Sequence, residues 1–494
     1  MSFESLGKFV SFLKEKRDLV TIDEEVSSVL EITEIHRRVI NTGGPALLFN
    51  NVSNSYGKCS MPVVTNIFGT VERIACGIGT DPSGLRKIGE LLAFLKSPIP
   101  PESLKDIVGM FPILRNVISA RACDVRKAKC QEIVIREDDV DLSKFPIQTC
   151  WPGDAAPLIT WPIVVTKGPS TAREDNFNLG IYRMQVVDKN TTIMRWLKHR
   201  GGAQQYGRWV REKNEDFPAA VVMGTDPATM ISAVTPIPDN MSEYQFAGIL
   251  RKSPTELVKC ITVPLKVPAN AEIVLEGFVT RDLLDEGPHG DHTGYYNAVE
   301  RFPKFVVKAI TMRKDPLYLS TFTGRPPDEC SVLGEALNEI FIPILVAHYP
   351  EIVDFWLPPE GCSYRIAVVS IKKAYPGHAR KIIMGIISFL RQFLYVKFVI
   401  VVDDDICARD WKDVMWAIST RMDPRRDMMF IDGAPIDYLD FASTEEGLGG
   451  KVGLDATNKI YPETKRDWGV PMEMSKSVVD MVTAKWDKYG FGCE

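Results

Sequence analysis

The stretch EGPHGDHTGYY, Glu286 to Tyr296, sets two acids and two histidines among Gly287, Pro288, Gly290 and Gly294. Proline restricts backbone rotation and glycine permits sharp turns, so these titratable groups ride on stiff, tightly turned chain. A general acid needs such a mount. Two neighbouring carboxylates resist ionising together, which lifts one toward the working pH. Taken alone, the loop reads more simply as a hydrated turn, because Asp and Gly are common turn residues. His289 and His292 form HxxH, but no third ligand of suitable spacing is near. A Gly-rich loop is also no helical ligand pair, so these rings are expected to line a pocket or bond neighbouring backbone rather than hold zinc.

A second concentration is NLGIYRMQVVDKNTTIMRWLKHRGG, Asn178 to Gly202, which carries Arg183, Arg195, Arg200, His199 and a Gly-Gly end on one hairpin. Such a set can grip a phosphate and a planar ring, or can simply be solvated arginines on an exposed strand pair. Asn178 and Arg183 are an odd number apart, so a regular strand points them to opposite faces. Joint service at one site requires a break at Gly180 or a bulge. Glu243, in the first turn of a helix opened by Ser242, is either a capping acid or, with Asn178 and His199, part of a hard oxygen–nitrogen set for Mn²⁺ or Mg²⁺. VVDDDICARDW offers Asp403–Asp405 before a helix. Capping is the simpler reading there, and a magnesium phosphatase the sharper one.

These residues need elements to position them. The 494 residues exceed one ordinary core, and 45% apolar with 25% charged residues is a globular mixture. Three regions separate by pattern. Residues 1–123 alternate amphipathic helices with short apolar segments, an α/β unit. Residues 124–329 are strand-rich, with LITWPIVVTKG, NLGIYRMQVV, TTIMRWL, AAVVMG, ELVKCITV, AEIVLEGFV and FVVKAITM, a hairpin turn at VDKN, and short helices opening at Asp226-Pro227 and Ser242. Residues 330–494 read as βαβ units (RIAVVSI, KFVIVVD, DMMFID), with an irregular tail after Gly447 that wraps another domain or subunit. GIGTDPSG matches no phosphate-loop spacing and reads as a surface turn.

A net charge of −5, without a basic block interleaved with aromatics, argues against nucleic acid. The ten cysteines form no CxxC pair, as expected for reduced thiols packed as small hydrophobes. No apolar run is long enough to span a bilayer, and the first residues show helical spacing instead of a signal peptide. A cytoplasmic protein is expected.

The blocks NLGIYRMQ, MRWLKHRGG, AVTPIPDNMSEYQFAG, EIVLEGF, EGPHGDHTGYY, TGRPPDE, LPPEGCSYR, FVIVVDDD, ISTRMDP and GLDATNK follow in this order. Together they resemble the UbiD family of decarboxylases, most closely its 3-polyprenyl-4-hydroxybenzoate branch from ubiquinone biosynthesis, from Leu30 to the tail. The resemblance implies an α+β fold: an N-terminal α/β domain, a central split β-barrel like that of flavin reductases, and a C-terminal α/β domain that builds a homo-oligomer, often a hexamer. It implies prenylated FMN, with Mn²⁺ and K⁺ at its phosphate and a flavin prenyltransferase as its supplier. The family's metal ligands match Asn178, His199 and Glu243. Its flavin contacts match Ile181, Tyr182, Arg183, Arg195, Trp196, Leu197, Arg200 and Gly201. Its catalytic network matches Arg183, Glu286 and Asp291, with Asp291 in the proton-donor position.

The implied reaction is non-oxidative loss of CO₂ from a 4-hydroxy-3-polyprenylbenzoate, whose tail would bring the enzyme to the membrane surface. An unprenylated acid such as 4-hydroxybenzoate or vanillate is the alternative. A flavin-binding scaffold without activity is the rival of another class, and it would need none of Arg183, Glu286 and Asp291. Two departures stand out: His289, where relatives often carry an aromatic residue, and a slightly expanded TAREDNF insert.

Overall fold

The computed structural model describes residues 2–96, 117–170, 176–198, 200–235, 237, 241–362, 364–389 and 391–490. His199 and most of the TAREDNF insert lie outside them. The fold mixes helix and sheet, as the α+β reading expects.

The chain opens with helix Leu6–Glu15, where Ser5 accepts from the Lys8 amide and Leu6, Phe9, Val10 and Leu13 are buried. These are the apolar positions whose spacing announces a helix. Behind it a sheet runs Leu19–Ser27, Ala46–Asn54, Val63–Thr65, and its last strand is Tyr318–Leu319 from far along the chain. GIGTDPSG is a turn, as expected: Gly77 ends helix Val71–Gly77, and Asp81 accepts from Gly84 at 2.9 Å to start helix Pro82–Lys96.

The strand-rich centre is a nine-stranded sheet whose pairings are antiparallel. Its order is Leu158–Ile159, Met184–Val186, Thr191–Met194, Glu300–Met312, Ile273–Glu286, Phe217–Met223, Pro162–Lys167, Phe177–Ile181, with Ile133–Arg136 also on Glu300–Met312. VDKN turns a hairpin in which Met184 faces Met194 and Val186 faces Thr192. Asp226 caps helix Pro227–Ser232 and Ser242 caps Glu243–Arg251, both by accepting from the third amide onward. The two longest strands, Ile273–Glu286 and Glu300–Met312, pair until Glu286 faces Glu300. The stiff loop of the opening stretch is therefore the closure of the sheet's longest hairpin.

The C-terminal sheet runs Ile352–Trp356, Ile366–Ile371, Phe398–Asp403, Leu448–Asp455, Met428–Pro435. Ile366–Ile371 and Phe398–Asp403 are parallel around helix His378–Phe389, the expected βαβ unit. Two expectations change. DMMFID forms an antiparallel edge strand and not a third parallel one. The chain after Gly447 is not irregular at first, because Leu448–Asp455 is an inner strand, parallel to Phe398–Asp403. Its glycines hide it from propensity. At Gly453 a Cβ would stand 2.4 Å from Ile383, so helix His378–Phe389 packs too close for a side chain. One apolar core joins the three regions, from Phe9 through Trp161 to Ile383, and a second lies beneath the central sheet around Phe217 and Phe305. No helix of the described residues is long and apolar enough to cross a membrane.

Candidate active site

Glu286 ends its strand with its side chain fully buried. An isolated buried carboxylate is costly, and two guanidinium groups offset that cost. Arg183 donates from Nε to Oε1 at 2.9 Å and from Nη2 to Oε2 at 3.2 Å, a two-pronged contact. Arg195 brings Nε to 3.3 Å from Oε2 and donates from Nη2 to Glu300 at 3.0 Å. Its guanidinium lies 5.4 Å from the Phe302 ring centre. Burial pulls the Arg183 guanidinium below its ordinary value, as does the charge of Arg195. Glu286 and the nearby Asp291 oppose this.

The expected break is not at Gly180 and is not a bulge, because the pairing with Pro162–Lys167 keeps regular register from Phe177 to Ile181; Arg183 reaches its position where that strand ends. Strand Phe177–Ile181 ends, Met184–Val186 begins, and Tyr182-Arg183 fall between them. The Tyr182 ring folds over Gly180, where a Cβ would meet its oxygen at 2.4 Å.

Asp291 is 4% exposed. Its Oδ1 accepts from the Thr293 amide at 2.7 Å and the Thr293 hydroxyl at 2.5 Å, and its own amide donates to Tyr295 O at 3.1 Å. Gly287 (φ +93°) and Gly294 (φ +82°) adopt the left-handed backbone that this turn demands. The loop is fastened by residues that sequence reasoning missed. Asn297 Oδ1 accepts from Arg183 at 2.8 Å and the His289 amide at 2.9 Å. Gln185 Oε1 accepts from the Gly287 amide at 2.8 Å and lies 2.9 Å from His289 Nε2. Asp154 accepts from the amides of Gly290, Cys150 and Trp151. Asn297 follows the GYY of the loop directly, and Asp154 is the lone acid of a Pro/Gly-rich turn, WPGDAAP. Those are the faint signals that could have found them.

The two histidines diverge. His289 is buried against Gln185, whereas His292 Nε2 lies 3.6 Å from Asp437. Among the described residues no group of three or more His, Cys, Asp or Glu side chains could hold a metal.

The remaining candidates gather beside strand Phe177–Ile181. Asn178 Nδ2 is buried without a hydrogen-bond partner among the described residues, and a Cβ at Gly201 would lie 2.0 Å from its Oδ1. Burial pushes the Glu243 carboxyl up to about 7, against the Leu179 and Glu243 amides. Tyr182 accepts from the Gly202 amide at 3.4 Å, and burial raises its phenol. Gly201 opens helix Gly201–Glu212, whose first amides form an anion-attracting end just after exposed Arg200. Ile181 and Leu197 are partly buried next to these groups. Trp196 turns its ring into the core against Tyr182, Tyr206 and Phe217. Arg195, expected at the flavin, spends its guanidinium on Glu286 and Glu300.

The aspartates of VVDDD are neither a metal site nor caps. Arg421 donates to Asp403 at 2.8 Å and to Asp405 at 2.8 and 2.6 Å, while Asp410 caps the following helix. The phosphatase reading loses its ligands to that clamp.

The result is a three-region α+β chain with a clamped carboxylate at Glu286 and a second, nearly buried acid on the loop that follows. Residues 10–92, 121–326 and 331–456 match the N-terminal, Rift-related and C-terminal domains of 3-octaprenyl-4-hydroxybenzoate carboxy-lyase, and the chain belongs to this UbiD family. Vanillic acid decarboxylase of Sedimentibacter hydroxybenzoicus in its closed form is 26% identical, with 99% of each chain covered and a TM-score of 0.83. HmfF of Pelotomaculum thermopropionicum, a UbiD-class enzyme in complex with FMN, is 29% identical over 94% of this chain and 97% of that one, at TM-score 0.77. An evolved dimeric form of HmfF in complex with prFMN is 27% identical over 98% and 100%, at TM-score 0.78.

Proposed function

We propose that this enzyme removes CO₂ from 4-hydroxy-3-polyprenylbenzoate to give a 2-polyprenylphenol, in ubiquinone biosynthesis, with prenylated FMN as cofactor. The observation that carries the reading is the buried Arg183–Glu286 pair with Asp291 on the loop between Glu286 and Glu300. Losing CO₂ from an aromatic acid leaves charge in an orbital that the ring cannot delocalise, and the bound cofactor supplies the electron sink that no side chain offers.

The residues suit that cofactor. An Asn178 Nδ2 without a hydrogen-bond partner among the described residues, a Glu243 carboxyl raised by burial, and the close approach of the Gly201 backbone to Asn178 fit a cation and an anion seated together. Asn178, Glu243 and His199 would hold Mn²⁺, and K⁺ would join it at the flavin phosphate. The phosphate would lie at Arg200-Gly201. The ring would lie along Ile181-Tyr182-Arg183 and the Arg195-Trp196-Leu197 backbone.

Arg183 orients the substrate carboxylate and is itself held by Glu286 and Asn297. Glu286, engaged by two guanidinium groups, serves as an anchor. Asp291, in no such clamp, delivers the proton that replaces CO₂. Positioned acid catalysis of this kind is worth about 10²–10⁴-fold.

Exposed Tyr295, Tyr296, Val299 and Phe441 around the loop favour a substrate with an apolar tail and contact with the membrane's inner face, on an otherwise cytoplasmic enzyme. The vanillic acid relative favours the second reading, an unprenylated phenolic acid. Helix Lys476–Thr483 buries no residue, and Met472, Met474, Val479, Met481 and Trp486 around it are exposed, which supports a homo-oligomer, a hexamer, sealed by the tail.

The test is to produce the protein with and without a flavin prenyltransferase. Its absorbance is then recorded, and CO₂ release is measured from 4-hydroxybenzoate with and without a prenyl tail. Release only with the prenyltransferase, and a higher kcat/KM for the tailed acid, is expected. Preference for the bare acid selects the second reading, and bound flavin with no release from either selects a scaffold.

A further inference from the structure

The loop that holds Asp291 is gripped from outside the central sheet. Residues between Ile436 and Gly447 join strand Met428–Pro435 to Leu448–Asp455, and Ile436 donates to Gly447 O at 3.1 Å across the base. An ion pair of Asp440 with Lys397 at 2.8 Å ties this segment to the body of the C-terminal sheet. Asp437 Oδ2 lies 3.6 Å from His292 Nε2 and 3.1 Å from Arg365 Nη2. Burial alone would raise the Asp437 carboxyl, but the hydrogen bond and charge of His292, with the Leu439 amide and Arg365, outweigh it and hold it at about 2. Four residues on, the Phe441 ring lies 4.5 Å from the Tyr295 ring at 60°. These two rings are 67% and 61% exposed, so burial in a core does not explain the contact.

Both gripped residues lie on the C-terminal side of the acid. His292 follows Asp291 directly, and the Tyr295 carbonyl accepts the Asp291 amide. The start of the loop is already held by Gln185 and Asn297, so the aim of the turn depends on its far side being held too, and a 1 Å misplacement costs about 10²-fold in rate. An exposed aromatic pair and a 3.6 Å histidine–carboxylate contact are weak contacts that can release within a turnover.

We propose that the segment 436–447 is a latch by which the C-terminal unit holds the acid loop, with Asp437 (through His292) and Phe441 (through Tyr295) as positioning residues that aim Asp291. The proposal rests on the decarboxylase reading for what the aim is for, but the grip is tested separately.

In the full-length holoenzyme, Asp437→Asn and Phe441→Ser speed amide hydrogen exchange over residues 286–296 about tenfold and leave helix Leu6–Glu15 unchanged. Asp437→Glu restores protection. Both loosening variants lower kcat about tenfold with KM within about twofold, and His292→Gln combined with Asp437→Asn is no worse than either alone. Phe441 is surface-exposed, so its variant folds. Unchanged exchange over 286–296 in both loosening variants, or losses that multiply in the double variant, overturns the latch even if the enzyme decarboxylates. Faster exchange in an enzyme that releases no CO₂ leaves the latch standing and overturns the proposed reaction.

Discussion

Asp291→Asn is the most direct probe of the chemistry. Thr293 engages one oxygen of Asp291 through both its amide and its hydroxyl, which leaves the other oxygen for the proton transfer proposed above. Asparagine keeps an oxygen for Thr293 and replaces the proton-bearing oxygen with an amide that cannot give up a proton near neutral pH. The fold, the Arg183–Glu286 clamp and the flavin should all survive. What is lost is positioned acid catalysis, about 10²–10⁴-fold in kcat, or about 3–5 kcal/mol of barrier. KM should move little, because Arg183 keeps its partners. Glu286→Gln is the matched control: it unsettles the guanidinium proposed to bind the substrate carboxylate, so KM should rise as kcat falls. The assay is CO₂ release against substrate concentration, with flavin absorbance of each preparation as the loading control. An Asp291→Asn enzyme within tenfold of the parent, at equal flavin content, would refute the assignment. So would a Glu286→Gln enzyme that loses kcat alone.

The other expectations concern loading, pH and assembly. Glu243→Ala and Gly201→Ala should both lower retained flavin and metal, the second because its Cβ would press on Asn178; unchanged absorbance and elemental content return Glu243 to a capping role. Burial pushes the Glu329 carboxyl up to about 7, so above its unfolded value near 4.5 the unfolded chain has released a proton that the folded chain still holds. Its contribution to stability therefore falls as pH rises from about 4.5 through 7, by at most about 3 kcal/mol. Burial lowers His36 to about 3, which acts in the opposite sense between about 3 and 6.5; its Nε2 lies 3.6 Å from Glu329, so the two are coupled and the comparison is read above pH 6.5, where His36 no longer titrates in either state. Glu329→Gln should thus gain on the parent in urea midpoint between about pH 6.5 and pH 8, and a constant difference would contradict it. Removing residues 470–494 should shift the sedimentation coefficient toward a smaller species.

Much of this site was legible because its signals are local. The glycines of EGPHGDHTGYY demand left-handed turns, Asp226 and Ser242 cap the helices they precede, and VDKN turns its hairpin. Each depends on neighbours within a few positions. Where the reading failed, a distant partner had decided. The VVDDD aspartates look like caps until Arg421 folds back onto them, and Leu448–Asp455 looks irregular until a helix packs flat on Gly453.

Residue types, turn geometry and helix starts belong to the sequence by itself, because backbone sterics and short-range hydrogen bonds set them. That Arg183 meets Glu286 across 103 positions, that Asn297 and Gln185 pin the loop, and that Asp437 reaches His292 belong to the tertiary structure. Those contacts exist only once sheet register and the burial of shared cores bring remote strands together, and no short window of sequence carries that sum.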